Sequence, residues 1–110
     1  MSEPRVIKKY PNRRLYDTFE SRYITLAEIK RLVIDRTDFL VIDKKSNRDI
    51  TRSILLQVIS DEEQQGAPAL SQEFLANVIR TYGDASREQL AVHLEQGMRN
   101  FCSQHLPSPQ

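Results

Sequence analysis

A chain of 110 residues with a formal charge of +1, 39% hydrophobic and 28% charged, has room for one cored domain plus a helical appendage but not for two cored domains, and its balance is globular rather than disordered. A single cysteine, Cys102, excludes an internal disulfide framework, and that thiol with two histidines forms no cluster at metal-ligand spacing, so no metal or other cofactor is expected. No apolar run approaches the roughly 20 residues that cross a bilayer, and MSEPRVIKKY lacks the apolar stretch of a secretory signal; a soluble, cytoplasmic protein without a membrane span is predicted.

The small net charge hides an asymmetry. Through Arg52 there are thirteen Lys and Arg against eight Asp and Glu, and from Ser53 onward three against seven, so any polyanion should be met by the first half. Residues 5–14 alone hold five cations, Arg5, Lys8, Lys9, Arg13 and Arg14, and no acid.

In chain order, RVIKK (5–9) carries β-branched Val6 and Ile7 and reads as a short strand, and Pro11-Asn12 places a bend directly after it. From Arg13 to Thr18 alternation puts Arg14 and Tyr16 on one side and Arg13, Leu15 and Asp17 on the other. FESR is a turn into Tyr23 and Ile24, completing a ribbon of two or three short strands. Thr25 with Glu28 matches a capping box at the head of a helix running to about Asp35. Leu26, Ile29, Leu32 and Val33 of that helix should pack against the ribbon.

FLVID (39–43) is a buried-strand candidate, KKSN a polar turn and RDI a return strand, together a second hairpin. Thr51 is the expected cap of a helix over about 52–65 with an apolar stripe of Ile54, Leu55, Val58 and Ile59. QQGAPAL has no periodicity and contains Gly66 and Pro68, which marks a linker. Ser71 caps a helix bearing Phe74, Leu75, Val78, Ile79 and Tyr82, with Gly83 at the place of a left-handed C-cap. Ser86 with Gln89 is a second capping-box pattern before a last helix to about Ser103, along which Ala91, Leu94, Met98 and Phe101 fall at coiled-coil spacing. The fold class is therefore α+β: a ribbon-and-helix domain over 1–65, a helical hairpin over 66–105, and a frayed proline-rich tail at 106–110.

Catalytic chemistry is missing from this pattern. Cys102 and His105 stand three apart with no third group to orient them, and a small apolar residue at a helix end accounts for Cys102. The acids Asp61, Glu62 and Glu63 are consecutive, so on a helix they point in different directions and cannot close around one ion. The three glycines stand alone and make no phosphate loop. The decapeptide KKYPNRRLYD, in contrast, has the chemistry of a nucleic-acid contact: Arg grips phosphate or reads guanine, Asn reads adenine, Tyr stacks or donates to phosphate. A solvated cationic strand edge that discourages aggregation is the alternative reading of the same residues.

KKYPNRRLYDTFESRYITLAEIKRLV followed by FLVIDKKSNRDITRSILLQVISDEE closely resembles the N-terminal DNA-binding domain of the polyhydroxyalkanoate synthesis repressor family, over about residues 5–64. LSQEFLANVIRTYGD and LEQGM resemble the granule-regulatory region that follows it in that family. The resemblance implies a non-enzymatic repressor that binds operators ahead of phasin genes, polymer-synthesis genes and its own gene, and that leaves DNA when it binds the polymer at the granule surface. KSNRD stands where family members often have a glycine turn, and Asn47 can replace that glycine at a positive φ.

These readings place Lys8, Lys9, Arg13 and Arg14 on phosphates or guanines, Asn12 on a base edge, and Tyr10 and Tyr16 against the DNA backbone. Five neutralised phosphates per subunit imply a log-log salt slope of about −0.9 for each. Phe74, Leu75, Val78, Ile79, Leu94, Met98 and Phe101 serve homo-oligomerisation as a dimer or tetramer, or adsorption to polymer; ordinary core between two antiparallel helices is the other reading. A granule-surface structural protein and an RNA-binding module remain as alternative functions.

Overall fold

The computed structural model describes residues 3–106, and the chain divides into two compact units between Ala67 and Pro68. The first unit is built on four strands, β1 (Arg5–Lys9), β2 (Leu15–Asp17), β3 (Arg22–Ile24) and β4 (Phe39–Asp43), in the order β3-β2-β1-β4. Two helices, α1 (Leu26–Ile34) and α2 (Thr51–Gln65), complete it. The α+β class is the one expected.

Strand alternation decides which face is buried. Ile7, Leu15, Ile24 and Val41 point to one side of the sheet and, with Ile29 of α1 and Ile54 and Val58 of α2, form the core. The intervening positions Val6, Lys8, Tyr16, Tyr23, Leu40 and Ile42 lie on the opposite face, because successive strand residues point opposite ways. Antiparallel register sets Lys8 opposite Tyr16 and Tyr16 opposite Tyr23.

The ribbon is thus part of a larger sheet. The expected second hairpin is reduced to a single bridge between Ile42 and Asp49; β4 instead runs parallel to β1, with Ile7 beside Val41 and Lys9 beside Asp43. Parallel pairing needs a long connection, which β2, β3 and α1 supply. One consequence positions the site: β1 and β4 end at the same edge of the sheet, and the Lys44 amide donates to the Lys9 carbonyl at 2.8 Å.

Local chemistry explains the helix ends. Thr25 and Glu28 form the expected capping box at α1. Thr51 does not cap α2; Ile50 holds that position, while the Thr51 hydroxyl donates to Asp49 and accepts from the Val41 amide at 2.8 Å, tying the helix to β4. The apolar stripes are only half used, since Val33, Leu55 and Ile59 are exposed.

The second unit contains α3 (Gln72–Arg80), a 3-10 turn (Thr81–Gly83) and α4 (Arg87–His105). Ser71 caps α3 as expected, accepting from the Phe74 amide. Gly83 is not a left-handed cap, because no glycine has a positive φ. The Ser86–Gln89 box does not form either: Asp84 accepts both the amide and the hydroxyl of Ser86, removing that hydroxyl from the helix end. No side chain of α3, the turn or α4 is buried. Leu106 ends α4, and the rest of the expected frayed tail, 107–110, lies outside the described residues.

Candidate nucleic-acid interface

The turn between β1 and β2 gathers the sequence-predicted cations. The Tyr10 amide donates to the Arg14 carbonyl and the Arg13 amide to the Tyr10 carbonyl, both at 2.9 Å, closing a three-residue loop over Pro11, Asn12 and Arg13. Such loops place their last residue in the left-handed region, and Arg13 has φ 70°. Glycine or asparagine takes that conformation with less strain. The chain accepts this cost and presents a guanidinium at the tip.

Asn12 builds the turn as well as decorating it: its side-chain oxygen accepts the Arg14 amide at 3.1 Å, an Asx arrangement that stiffens the loop. That engages the oxygen of the base-reading pair assigned to Asn12, and its NH2 group stays a donor. Lys8 shares the open face with Tyr16, whereas Lys9, opposite Leu15, lies on the helix-side face at the sheet's end. Among the described residues Lys8, Lys9, Arg13 and Arg14 form no ion pair.

Arg5, the fifth cation of the segment, does not belong with them. Its guanidinium bonds Asp17 at 3.1 Å, with Asp17 1% exposed, and lies over the Phe19 ring at 4.4 Å. The pairing is a diagonal one across β1 and β2, since Asp17 stands opposite Ile7. Asp17 also accepts the Phe19 amide at 2.9 Å, which folds the chain back into β3. Arg5 therefore holds the sheet together, and the ribbon cations expected to meet phosphate fall from five to four, for an expected salt slope of about −3.6 per subunit. Arg22 is engaged too: Glu20 and Glu28 bind it, and the Arg22 hydrogen bond is the first cause holding the Glu28 carboxyl below its ordinary value.

Three tyrosines support the turn. Tyr10, Tyr16 and Tyr23 meet edge to face with ring centroids 6.4, 6.3 and 5.2 Å apart, and the Arg14 guanidinium lies 4.3 Å over Tyr23. A cation over an aromatic face at an exposed site gains about 0.5–1 kcal/mol, so Tyr23 fixes where Arg14 can reach. Sequence reasoning left Tyr23 out; the signal was available in the strand alternation, which puts positions 16 and 23 side by side once the intervening turn is counted.

The second predicted set lies on the helices of the other unit. Phe74, Leu75 and Ile79 on α3 and Leu94, Met98 and Phe101 on α4 are all exposed, Ile79 by 65% and Met98 by 60%, and Val78 is half-buried. Ordinary core between two helices is therefore not what these residues form within the chain. Among the described residues no three His, Cys, Asp or Glu side chains cluster as metal ligands, and no helix is long and apolar enough to cross a membrane.

The sequence pattern of the PHB/PHA accumulation regulator DNA-binding domain matches residues 6–66, which includes the turn between β1 and β2 and its three tyrosines. The chain is 51% identical over 104 residues to a Thiocystis violacea protein described as an uncharacterized protein in the phbA 5′ region, covering 94% of this chain and 75% of that one. It is 49% identical over 104 residues to an uncharacterized protein of Allochromatium vinosum, covering 94% and 68%. No solved structure is found to match it.

Proposed function

The chain belongs to the PHB/PHA accumulation regulators, DNA-binding proteins with a non-enzymatic role, and from that premise we propose that it is a repressor of granule genes. It holds duplex operators ahead of phasin genes, polymer-synthesis genes and its own gene through Lys8, Lys9, Arg13 and Arg14, with Asn12 on a base edge and Tyr10 and Tyr16 against the backbone. The observation that carries this reading is the turn itself: cations that form no ion pair among the described residues, on a stiff loop, with Arg13 in a backbone conformation that glycine takes with less strain. Strain retained at a position with no packing role is a mark of function.

The open helices supply the second half of the mechanism. An apolar face left largely exposed among the described residues pairs with another copy or adsorbs to a hydrophobic polyester. Two-fold pairing suits a near-palindromic operator. If polymer binds the DNA-free form more tightly than the DNA-bound form, it releases the operator by that difference in affinity. On this reading the protein works in the cytoplasm, at the nucleoid and the granule surface.

A gel shift on duplex from upstream of a phasin gene tests the proposal. Salt-sensitive binding that is lost in the Arg13→Ala/Arg14→Ala protein and relieved by added polymer is the expected result. Preference for single-stranded RNA would favour an RNA-binding module instead, and polymer adsorption without nucleic-acid affinity would favour a granule-surface structural protein.

A further inference from the structure

Apart from Arg36 and Arg52, the cations of the first unit fall into two groups. Arg5, Arg22, Lys30 and Arg31 are held by carboxylates. Lys8, Lys9, Arg13, Arg14, Lys44, Lys45 and Arg48 are not, among the described residues. The second group spans 41 positions of sequence, yet the topology brings it to one edge of the sheet. β1 and β4 are parallel neighbours, so the chain leaves both strands at the same end. The turn after β1 carries Arg13 and Arg14; the turn after β4 carries Lys44, Lys45 and Arg48; and the Lys44 amide bonds the Lys9 carbonyl between them.

The turn after β4 is assembled without help from its cations. Asp43 accepts the amide and the hydroxyl of Ser46, at 3.0 and 2.7 Å. Its own amide donates to the Arg48 carbonyl at 2.8 Å, the Asn47 amide donates to the Asp43 carbonyl at 2.7 Å, and Asn47 takes φ 62°. The nearby acids are occupied: Asp43 by Ser46, and Asp49 by the amide and hydroxyl of Thr51. Three cationic side chains thus stand on a preorganised loop with no structural task. Lys9 and Lys45 both help hold the Asp43 carboxyl below its ordinary value, after the Ser46 hydrogen bonds, which places both ammonium groups in one local field.

Such an arrangement matches a polyanion with two charged walls. The first turn joins β1 to β2 and the second joins β4 to the Asp49 return on its outer side, so at a strand spacing of about 4.8 Å their midpoints stand roughly 10 Å apart. That is close to the ~12 Å width of the major groove of a duplex. We propose that the Lys44–Arg48 turn is a second phosphate-contacting lobe of the DNA interface, gripping one wall of a groove while the Tyr10–Arg14 turn grips the other. This rests on the duplex-binding reading above and enlarges it from one finger to two. Ser46 and Asn47 shape the lobe, and Lys44, Lys45 and Arg48 carry its contacts.

The salt dependence of binding to a mixed-sequence duplex of several helical turns is the test, because phosphate contacts are independent of sequence. With seven contacts the wild-type slope is about −6 per subunit rather than about −3.6, and each contact removed lowers its magnitude by about 0.9. Full-length protein carrying Lys44→Ala, Lys45→Ala and Arg48→Ala, which keeps Asp43, Ser46 and Asn47 and should keep the wild-type melting curve, is expected to lose about 2–3 units of slope. Lys44→Arg/Lys45→Arg should retain the wild-type value. A triple variant with the wild-type slope would overturn the second lobe and leave the first standing. An equal loss on removing Arg80, Arg87 and Arg99 from the second unit would overturn it as well, by showing a net-charge effect. Wild-type protein that binds no duplex at all would overturn the duplex-binding reading and this one together.

Discussion

The two units treat apolar side chains in opposite ways. Residues 6–66 close a core in which Ile7, Ile29 and Val41 are fully buried, whereas α3 and α4 bury nothing completely and leave Phe74, Leu75, Ile79, Leu94, Met98 and Phe101 open. Apolar area removed from water stabilises a fold by about 25 cal/mol per Å². The first unit gains this from a closed core, and the second gains less of it, with Ala76, Val78 and Leu90 half-buried and none fully so. On the proposed function the difference is a division of labour: the cored sheet would present charge to DNA, while the open helices would join the protein to a partner.

The largest effect should separate the units most sharply. Ile29→Ala empties a closed site and should lower unfolding free energy by about 2–5 kcal/mol, while Ile79→Ala should change the stability of the isolated chain by less than about 0.5 kcal/mol. Chemical denaturation at low protein concentration measures both. Equal losses would break the comparison, since they would mean that Ile79 is covered within its own chain.

A smaller effect probes one of the four non-glycine residues of the first unit that take the left-handed region, Arg13, Ser21, Arg36 and Asn47. Arg13→Gly relieves a left-handed residue and should raise stability by about 1 kcal/mol, yet it should weaken duplex binding by removing a phosphate contact. Melting and binding measured on the same preparation check the opposite signs. Loss of stability would mean that Arg13 packs in the fold rather than serving DNA.

The smallest effect is on pH. Glu28, Asp43 and Asp49 in the first unit and Asp84 in the second are held below their ordinary values, chiefly by hydrogen bonds from Arg22, Ser46, Thr51 and Ser86 respectively. A carboxyl whose folded value is depressed contributes stability that is present above its unfolded pKa and lost as pH falls through the folded value. Melting temperature should therefore hold through the neutral range and decline only on acidification past the usual carboxylate range. These groups are exposed, so the decline is shallow. A fall that began on the alkaline side of neutrality would contradict it.

Much of the local chemistry was legible in the sequence. The Thr25–Glu28 box, the Ser71 cap, the bend at Pro11-Asn12 and the positive φ of Asn47 each depend on residues within a few positions of one another. What escaped were choices between competing partners and pairings over distance. Thr51 bonds Asp49 and Val41, and Asp84 intercepts Ser86, so neither expected cap forms. The parallel pairing of β4 with β1 has no local signature, because FLVID followed by a polar turn reads equally well as a hairpin arm. From that one missed pairing followed the missed neighbourhood of Lys44, Lys45 and Arg48. The Arg5–Asp17 pair escaped for the same reason: twelve positions of sequence separate two side chains that the register makes neighbours.

The central claim is that the turn between β1 and β2 touches DNA phosphates, and the salt dependence of duplex binding for wild type against Arg13→Ala/Arg14→Ala tests it most directly. The account predicts that the double substitution flattens the log-log plot by about 1.8, one phosphate for each guanidinium. Two parallel lines would contradict it, whatever the change in affinity.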